Sequence, residues 1–253
     1  MDRLLEATAR TEREHFWFRG FRKFVEPLIA DAAADRLSTE LRANRVEILD
    51  CGCGTGHNLA MLRHYGRATG IDLAWTGLQY ARASGERRLA RATAVRLPFP
   101  AQTFDLITSF DVLYSLEDEA EREAIAEMFR VLRPGGRLVV SVAALDALRG
   151  NHSILSREVR RYSRADLKNR LERGGFSVRR VTYTNFTILP LVAGVRLKQR
   201  ITGHVESEDE IAIPAAPINA ALSALLSVEA AALRVVNMPI GSSLLADATR
   251  RPR

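Results

Sequence analysis

Residues 1–30 carry apolar and aromatic positions at helical spacing, and no strand is placed before residue 46. Between residues 46 and 142 the period changes. Short β-rich runs alternate there with helical stretches, the pattern of an α/β domain built on a parallel sheet. Strands are expected at Val46–Asp50, Ala68–Asp72, Arg91–Ala94, Phe104–Phe110 and Arg137–Val142. Helices are expected near His57–Tyr65, Trp75–Ser84 and Glu119–Leu132, the last stopped by Pro134-Gly135-Gly136.

Downstream, Ser163–Arg173 has the form of a helix with Ser163 as N-cap and Gly174-Gly175 as its stop. Phe176–Tyr183 alternates as a strand, and Ser242–Thr249 is the last strand candidate. The stretch between them is too long for a plain loop. It holds an apolar run, Phe186–Val195, ending in Arg196-Leu197-Lys198-Gln199-Arg200, then an acidic linker, His204–Pro217, and an alanine-rich helix at Ile218–Val236. These patterns divide the chain into a helical lead-in or lid (1–45), a core (46–183), a helical insertion (184–241), and a final strand with a basic tail (242–253).

At 253 residues the chain can hold one large domain, or one domain plus an appendage, and 47% hydrophobic with 26% charged residues is ordinary globular composition. The first residues lack a secretory apolar segment, and no run is long and apolar enough to span a bilayer. Cys51 and Cys53, the two cysteines, cannot build a disulfide framework, so a reducing cytoplasm is the expected compartment. With no further cysteine or histidine cluster to complete four ligands, no metal is expected. The net charge of +7 comes from scattered arginines and points only weakly to an anionic partner.

The stretch Asp50-Cys51-Gly52-Cys53-Gly54-Thr55-Gly56 leaves a buried strand, crosses three glycines and enters a helix. Such a turn lets a ligand approach the backbone without meeting Cβ atoms. A dinucleotide fold would place its third glycine one position later, where this chain has His57. Asp72 ends the second strand about twenty positions on, where a carboxylate can accept both ribose hydroxyls.

With DCGCGTG, GIDLA, LPFPAQTFDLI and LRPGGRLVVSV in order across residues 46–142, the chain resembles the class I S-adenosylmethionine (SAM)-dependent methyltransferases, specifically the group with the methyltransferase type 11 domain. The resemblance implies a Rossmann-like seven-stranded sheet with helices on both faces. Its last strand, Ser242–Thr249, would run antiparallel beside Phe176–Tyr183. It implies SAM as cofactor, with Asp50, Gly52, Cys53, Gly54 and Gly56 framing the methionine part. Asp72 would hold the ribose, Leu73 would pack on the adenine, the Ala94 amide and Thr93 hydroxyl would meet the adenine edge, and Phe110 would lie beneath the sulfonium. Relatives often carry aspartate where this chain has Thr93, and a threonine hydroxyl can also accept a hydrogen bond.

The lead-in Glu14-His15-Phe16-Trp17-Phe18-Arg19-Gly20 resembles an arginine-bearing aromatic segment of one branch of the family, which implies Arg19 paired with the SAM carboxylate and Trp17 or Phe18 as a lid. For the chemistry, His152 is the candidate base, with Tyr162 and Arg161 orienting and Tyr114 facing the pocket by position. The expected activity is methyl transfer to a small-molecule or lipid-linked acceptor. Nucleic acid is the less favoured partner, because Ser109-Phe110-Asp111-Val112 lacks the Asn/Asp-Pro-Pro-aromatic run used on base amines. A SAM-binding scaffold without turnover is the alternative from another class. Residues 186–200, apolar and then basic, suit peripheral membrane contact, against the plainer option of burial on the domain or on a second copy of the chain.

Overall fold

A computed structural model of the chain describes residues 2–39, 46–149, 157–202 and 211–251. Its centre is a seven-stranded sheet in the order β3-β2-β1-β4-β5-β7-β6. The strands are β1 (Glu47–Cys51), β2 (Arg67–Asp72), β3 (Leu89–Arg91), β4 (Phe104–Phe110), β5 (Leu132–Ala143), β6 (Ser177–Thr184) and β7 (Ser243–Thr249). β1 to β5 pair in parallel, and β7 runs antiparallel between β5 and β6. The Rossmann-like methyltransferase sheet expected from the sequence is present, reversed last strand included.

Every residue of β4 is buried, as a central strand covered on both faces demands, and its bounds match those expected from its apolar run. β3 lies upstream of the expected Arg91–Ala94. Its pairing ends at Asp72↔Arg91, where β2 stops, so Thr93 and Ala94 have no strand to join. β5 starts earlier than Arg137. Pro134-Gly135-Gly136 forms part of an irregular strand rather than a turn, with Gly135 at φ 77 and its amide donating to the Arg250 carbonyl at 2.7 Å.

The helices are α1 (Asp2–Thr11), α2 (Phe16–Thr39), α3 (His57–Leu62), α4 (Trp75–Ala83), α5 (Asp118–Val131), α6 (Arg164–Arg173), α7 (Leu189–Thr202) and α8 (Ala216–Ala232). α6 carries the expected cap: Ser163 Oγ accepts the Asp166 amide at 3.1 Å, and the Asp166 carboxylate accepts the Ser163 amide at 3.3 Å. α7 and α8 fill the interval between β6 and β7. α8 packs on α2, where a Cβ on Gly20 would lie 2.3 Å from Leu226 Cδ1, so the glycine makes the notch that Leu226 occupies. Asn219 Oδ1 accepts the Phe16 amide at 2.8 Å, and Glu229, buried, accepts the Phe186 and Thr187 amides.

α8 is thereby turned with polar residues inward. Ser223, Leu226 and Glu229 are buried, whereas Ile218 and Leu225 are exposed and Val228 is 67% exposed. The notch at Gly20 and the amide partners of Asn219 and Glu229 fix the rotation of the helix. Among the described residues no helix is long and apolar enough to cross a membrane.

Candidate functional site

β1 runs straight into the glycine turn. The Gly52 and Cys53 amides both donate to the Ile71 carbonyl at 2.8 Å, hooking the turn over the end of β2. Gly52, Gly54 and Gly56 have φ of 88°, 49° and 79°, the left-handed region that glycine enters without a Cβ penalty. A Cβ on Gly52 would lie 2.2 Å from Val112 Cγ2 and one on Gly56 2.6 Å from Ala81 Cβ, so packing also demands these two. At Gly54 the nearest atom is Leu5 Cδ2 at 3.7 Å. Gly54 lines the cavity, and a Cβ there would make no more than an ordinary contact.

Two carboxylates underlie the turn. Asp72 Oδ2 accepts the Gly54 amide and Oδ1 the Ala74 amide, each at 2.8 Å, tying the turn to the start of α4. Asp50 is buried. Thr108 Oγ1 donates to its Oδ1 at 2.7 Å, and Oδ2 has no partner. Burial pushes the Asp50 carboxyl up to about 7, opposed by the Thr108 bond and reinforced by the nearby Asp72 charge. Negative charge beneath the turn favours a cationic ligand and opposes a pyrophosphate, since Coulomb energies grow in a low-dielectric interior. An adenosyl sulfonium bearing an ammonium group fits this electrostatic cradle and the open face of Gly54.

The turn forms one wall of a cavity of about 520 Å³. Leu4, Leu5 and Thr8 of α1 close it from above, and Trp17, Phe18, Phe21 and Arg22 of α2 form a side. Glu12, in the α1–α2 connection, accepts the Thr55 hydroxyl at 2.6 Å and is raised above the usual carboxylate range by burial. His57, at the start of α3, is lowered to about 4 by burial and by Arg22 and Arg13. Phe110, Asp111, Tyr114, Glu158 and Arg161 also line it, and α7 contributes Val192 and Arg196.

Phe110 meets Phe21 edge-on with centroids 4.9 Å apart, joining β4 to α2 across the cavity. Asp111 follows at φ 59, a left-handed conformation that costs a non-glycine residue about 1 kcal/mol or more. Its amide donates to the Ser141 carbonyl at 2.9 Å, and its Oδ1 accepts the Ser141 hydroxyl at 3.3 Å. Asp111 is exposed to the cavity, and loss of solvation beside the protein around it pushes its carboxyl up to about 7, with the Ser141 bond and Arg161 lowering it and Glu158 raising it. Arg161 grips Glu158 through two bonds of 2.9 and 3.0 Å, both side chains buried.

Gly52, Cys53, Gly54, Phe110 and Tyr114 come together on the cavity wall as the sequence suggests. Asp50 and Gly56 support the turn from behind. Asp72, Leu73, Thr93 and Ala94 stand outside the cavity; Asp72 is bound to the Gly54 amide, and Leu73 is 63% exposed. Thr93 Oγ1 accepts the Val95 amide at 3.4 Å.

Arg19 is exposed and does not line the cavity, and Arg22 takes that place. Trp17, Phe18, Phe21 and Arg22 share one helical face, and position 19 points away from it. Tyr162 is also absent from the cavity. It is buried, and its hydroxyl donates to Glu121 at 2.8 Å, where Arg160 and Arg170 also converge. A buried anion on α5 recruits the tyrosine, and burial beside Glu121 raises its phenol far above the ordinary value. His152 lies outside the described residues. Arg161, expected as an orienting residue, lines the cavity, whereas Asp111, Glu12, Arg22 and the Glu158 partner of Arg161 were not anticipated. The position of Asp111 directly after the end of β4 was the available signal.

A sheet of this order, with a glycine turn at the carboxyl end of its first strand, defines the Rossmann-like class of α/β proteins that bind nucleosides at that edge. Residues 49–140 match the methyltransferase domain family. The chain is 32% identical to an O-methyltransferase of Penicillium expansum, over 64% of its own length and 64% of that protein's. It is also 32% identical to an O-methyltransferase of Aspergillus nomiae, over 58% of its own length and 74% of that protein's. In structure it is similar to an S-adenosylmethionine-dependent methyltransferase of Mesorhizobium loti, with TM-score 0.52, 21% identity, and coverage of 87% of this chain and 98% of that one. The chain belongs to the SAM-dependent methyltransferases of the methyltransferase-domain family, and SAM is the cosubstrate this membership implies.

Proposed function

We propose that the protein methylates a hydroxyl of a small, largely apolar molecule held in the cavity beyond the glycine turn. The observation that carries this reading is the shape of the cavity. The turn lines it together with Phe110, Tyr114, Asp111 and the Glu158–Arg161 pair, so apolar and acid–base groups share the space next to the turn. The two relatives named above as O-methyltransferases support an oxygen acceptor.

SAM supplies a methyl group on a positively charged sulfur. For its binding, Asp50 provides buried negative charge and Gly54 provides close approach. Asp72, already oriented by two backbone amides, offers its remaining lone pairs to ribose hydroxyls. Exposed Leu73 offers an apolar shelf for the adenine, with Thr93 and Ala94 beyond it. Arg22 suits the carboxylate end. Alignment of acceptor oxygen with the methyl carbon, and exclusion of water by α1 and α2, supply most of the acceleration.

The test is calorimetry with adenosylhomocysteine, followed by methyl-labelled SAM with fractionated metabolite, lipid and RNA extracts. Binding by the wild type and its loss in Gly54→Val are expected, with label appearing in small-molecule fractions. Equal binding by Gly54→Val, or label confined to RNA, would sink the reading.

A lipid-linked acceptor is the second reading, favoured by α7. Val192 and Arg196 face the cavity from this helix, while Leu191, Val195 and Leu197 are exposed beside Lys198. Anionic vesicles that raise turnover on an extracted lipid would establish it.

A further inference from the structure

We propose that Asp111 is the general base that removes the acceptor's hydroxyl proton. This rests on the hydroxyl-acceptor reading above. Among the described residues three carboxylates face the cavity, and their partners separate them. Both oxygens of Glu158 are held by the Arg161 guanidinium. Glu12 Oε2 is taken by the Thr55 hydroxyl. Asp111 has one long bond, from Ser141 to Oδ1, and its Oδ2 carries no hydrogen bond among the described residues.

The backbone aims it. β4 ends at Phe110, and the left-handed φ of Asp111 turns the side chain into the cavity instead of continuing the strand. Its neighbours lie against the cofactor side: Phe110 is in the same wall, and Val112 fills the space a Cβ on Gly52 would need. A carboxylate held in a strained conformation at the end of the central strand, one residue from the wall of the glycine turn, marks functional use of that strain.

The step balances without a further reactant. The acceptor oxygen bonds to the methyl carbon as the carbon–sulfur bond breaks, its electron pair staying on sulfur. The hydroxyl proton passes to Asp111 Oδ2 and then to solvent, which restores the carboxylate. Loss of solvation in the cavity raises the carboxyl to about 7, so it is a better proton acceptor near neutrality than an aspartate in bulk water. The charged and titratable groups around it are Glu158 and Arg161 before α6, with Tyr114 after β4; Arg196, Glu12, Arg22, His15 and His57 are the others on the cavity wall.

The experiment compares wild type and Asp111→Asn with SAM and two phenolic probes: phenol, and 4-nitrophenol, which ionises unaided near neutral pH. Adenosylhomocysteine affinity is measured on the same samples, and the Asp111 carboxyl carbon is titrated by NMR in the adenosylhomocysteine complex. Expected are unchanged adenosylhomocysteine affinity, a fall of about 100-fold or more on phenol, and a much smaller fall on 4-nitrophenol at high pH. The carboxyl should titrate near neutrality. Equal losses on both phenols, or no loss on either, would overturn the assignment. So would a wild type that binds adenosylhomocysteine but methylates neither probe. A wild type that does not bind adenosylhomocysteine would instead remove the functional reading beneath it.

Discussion

The Glu12 carboxylate accepts the Thr55 hydroxyl at 2.6 Å, and this bond ties the N-terminal arm to the glycine turn. Arg22 adds a second tie by donating to the Glu12 carbonyl at 3.1 Å. Glu12→Ala should release α1 from the cavity. Faster proteolysis near residue 12, faster amide exchange across α1 and quicker dissociation of adenosylhomocysteine are expected, with a stability loss of about 1–3 kcal/mol. Unchanged exchange in α1 would show that Leu4 and Leu5 hold the arm without the bond.

Asp50 should make the empty protein sensitive to pH. Its carboxyl is raised from 3.8 to about 7 in the folded chain, so between those values the folded state keeps a proton that the unfolded state loses. Stability therefore declines as pH rises through that window and stays lowered above it. Asp50→Asn should raise Tm by on the order of a few degrees at alkaline pH and hardly at all below pH ~4. The same change should weaken SAM binding by about tenfold or more, because a cationic ligand loses its buried counter-charge. Wild-type affinity for SAM should grow as pH rises through neutrality, and a flat profile would contradict the role.

Arg22 and Arg19 separate by a single titration. Arg22→Ala should raise the KM for SAM several-fold with little change in stability, whereas Arg19→Ala should leave both alone. The reverse outcome would restore the sequence-based placement of Arg19.

Tyr162 should behave as a structural residue. Tyr162→Phe removes one of the donors to buried Glu121 and should cost about 1 kcal/mol in urea unfolding with kcat unchanged. Glu121→Ala leaves Arg160 and Arg170 paired with Asp118 alone and should cost about 1–3 kcal/mol. A kcat effect for Tyr162→Phe larger than its stability effect would return the tyrosine to the chemistry.

Local patterns carried most of the sheet. Phe104–Phe110 was legible because a strand buried on both faces is apolar throughout, and Ser163 with Asp166 because a capping box is written in adjacent residues. β3 was misplaced because its bounds are set by where β2 ends, a long-range fact. The turn residues Gly52, Gly54 and Gly56 were visible, but only the fold separates Gly54, where a Cβ would meet no close neighbour, from two glycines fixed by Val112 and Ala81. Arg22 was missed for want of the helix's rotation about its axis. The inward polar stripe of α8 was hidden for the same reason, since Gly20 lies some two hundred positions from Leu226 in the chain.

Leu73 stands in the open, whereas the opposite end of the site is roofed by α1 and α2. A cosubstrate seated as proposed would therefore leave one end of its base reachable from bulk water. Bulky dyes or affinity handles attached there should be accepted, while enlarging the transferred alkyl group would be resisted by the roof. The protein is on these grounds better suited to labelling by tagged nucleosides than to transfer of larger substituents.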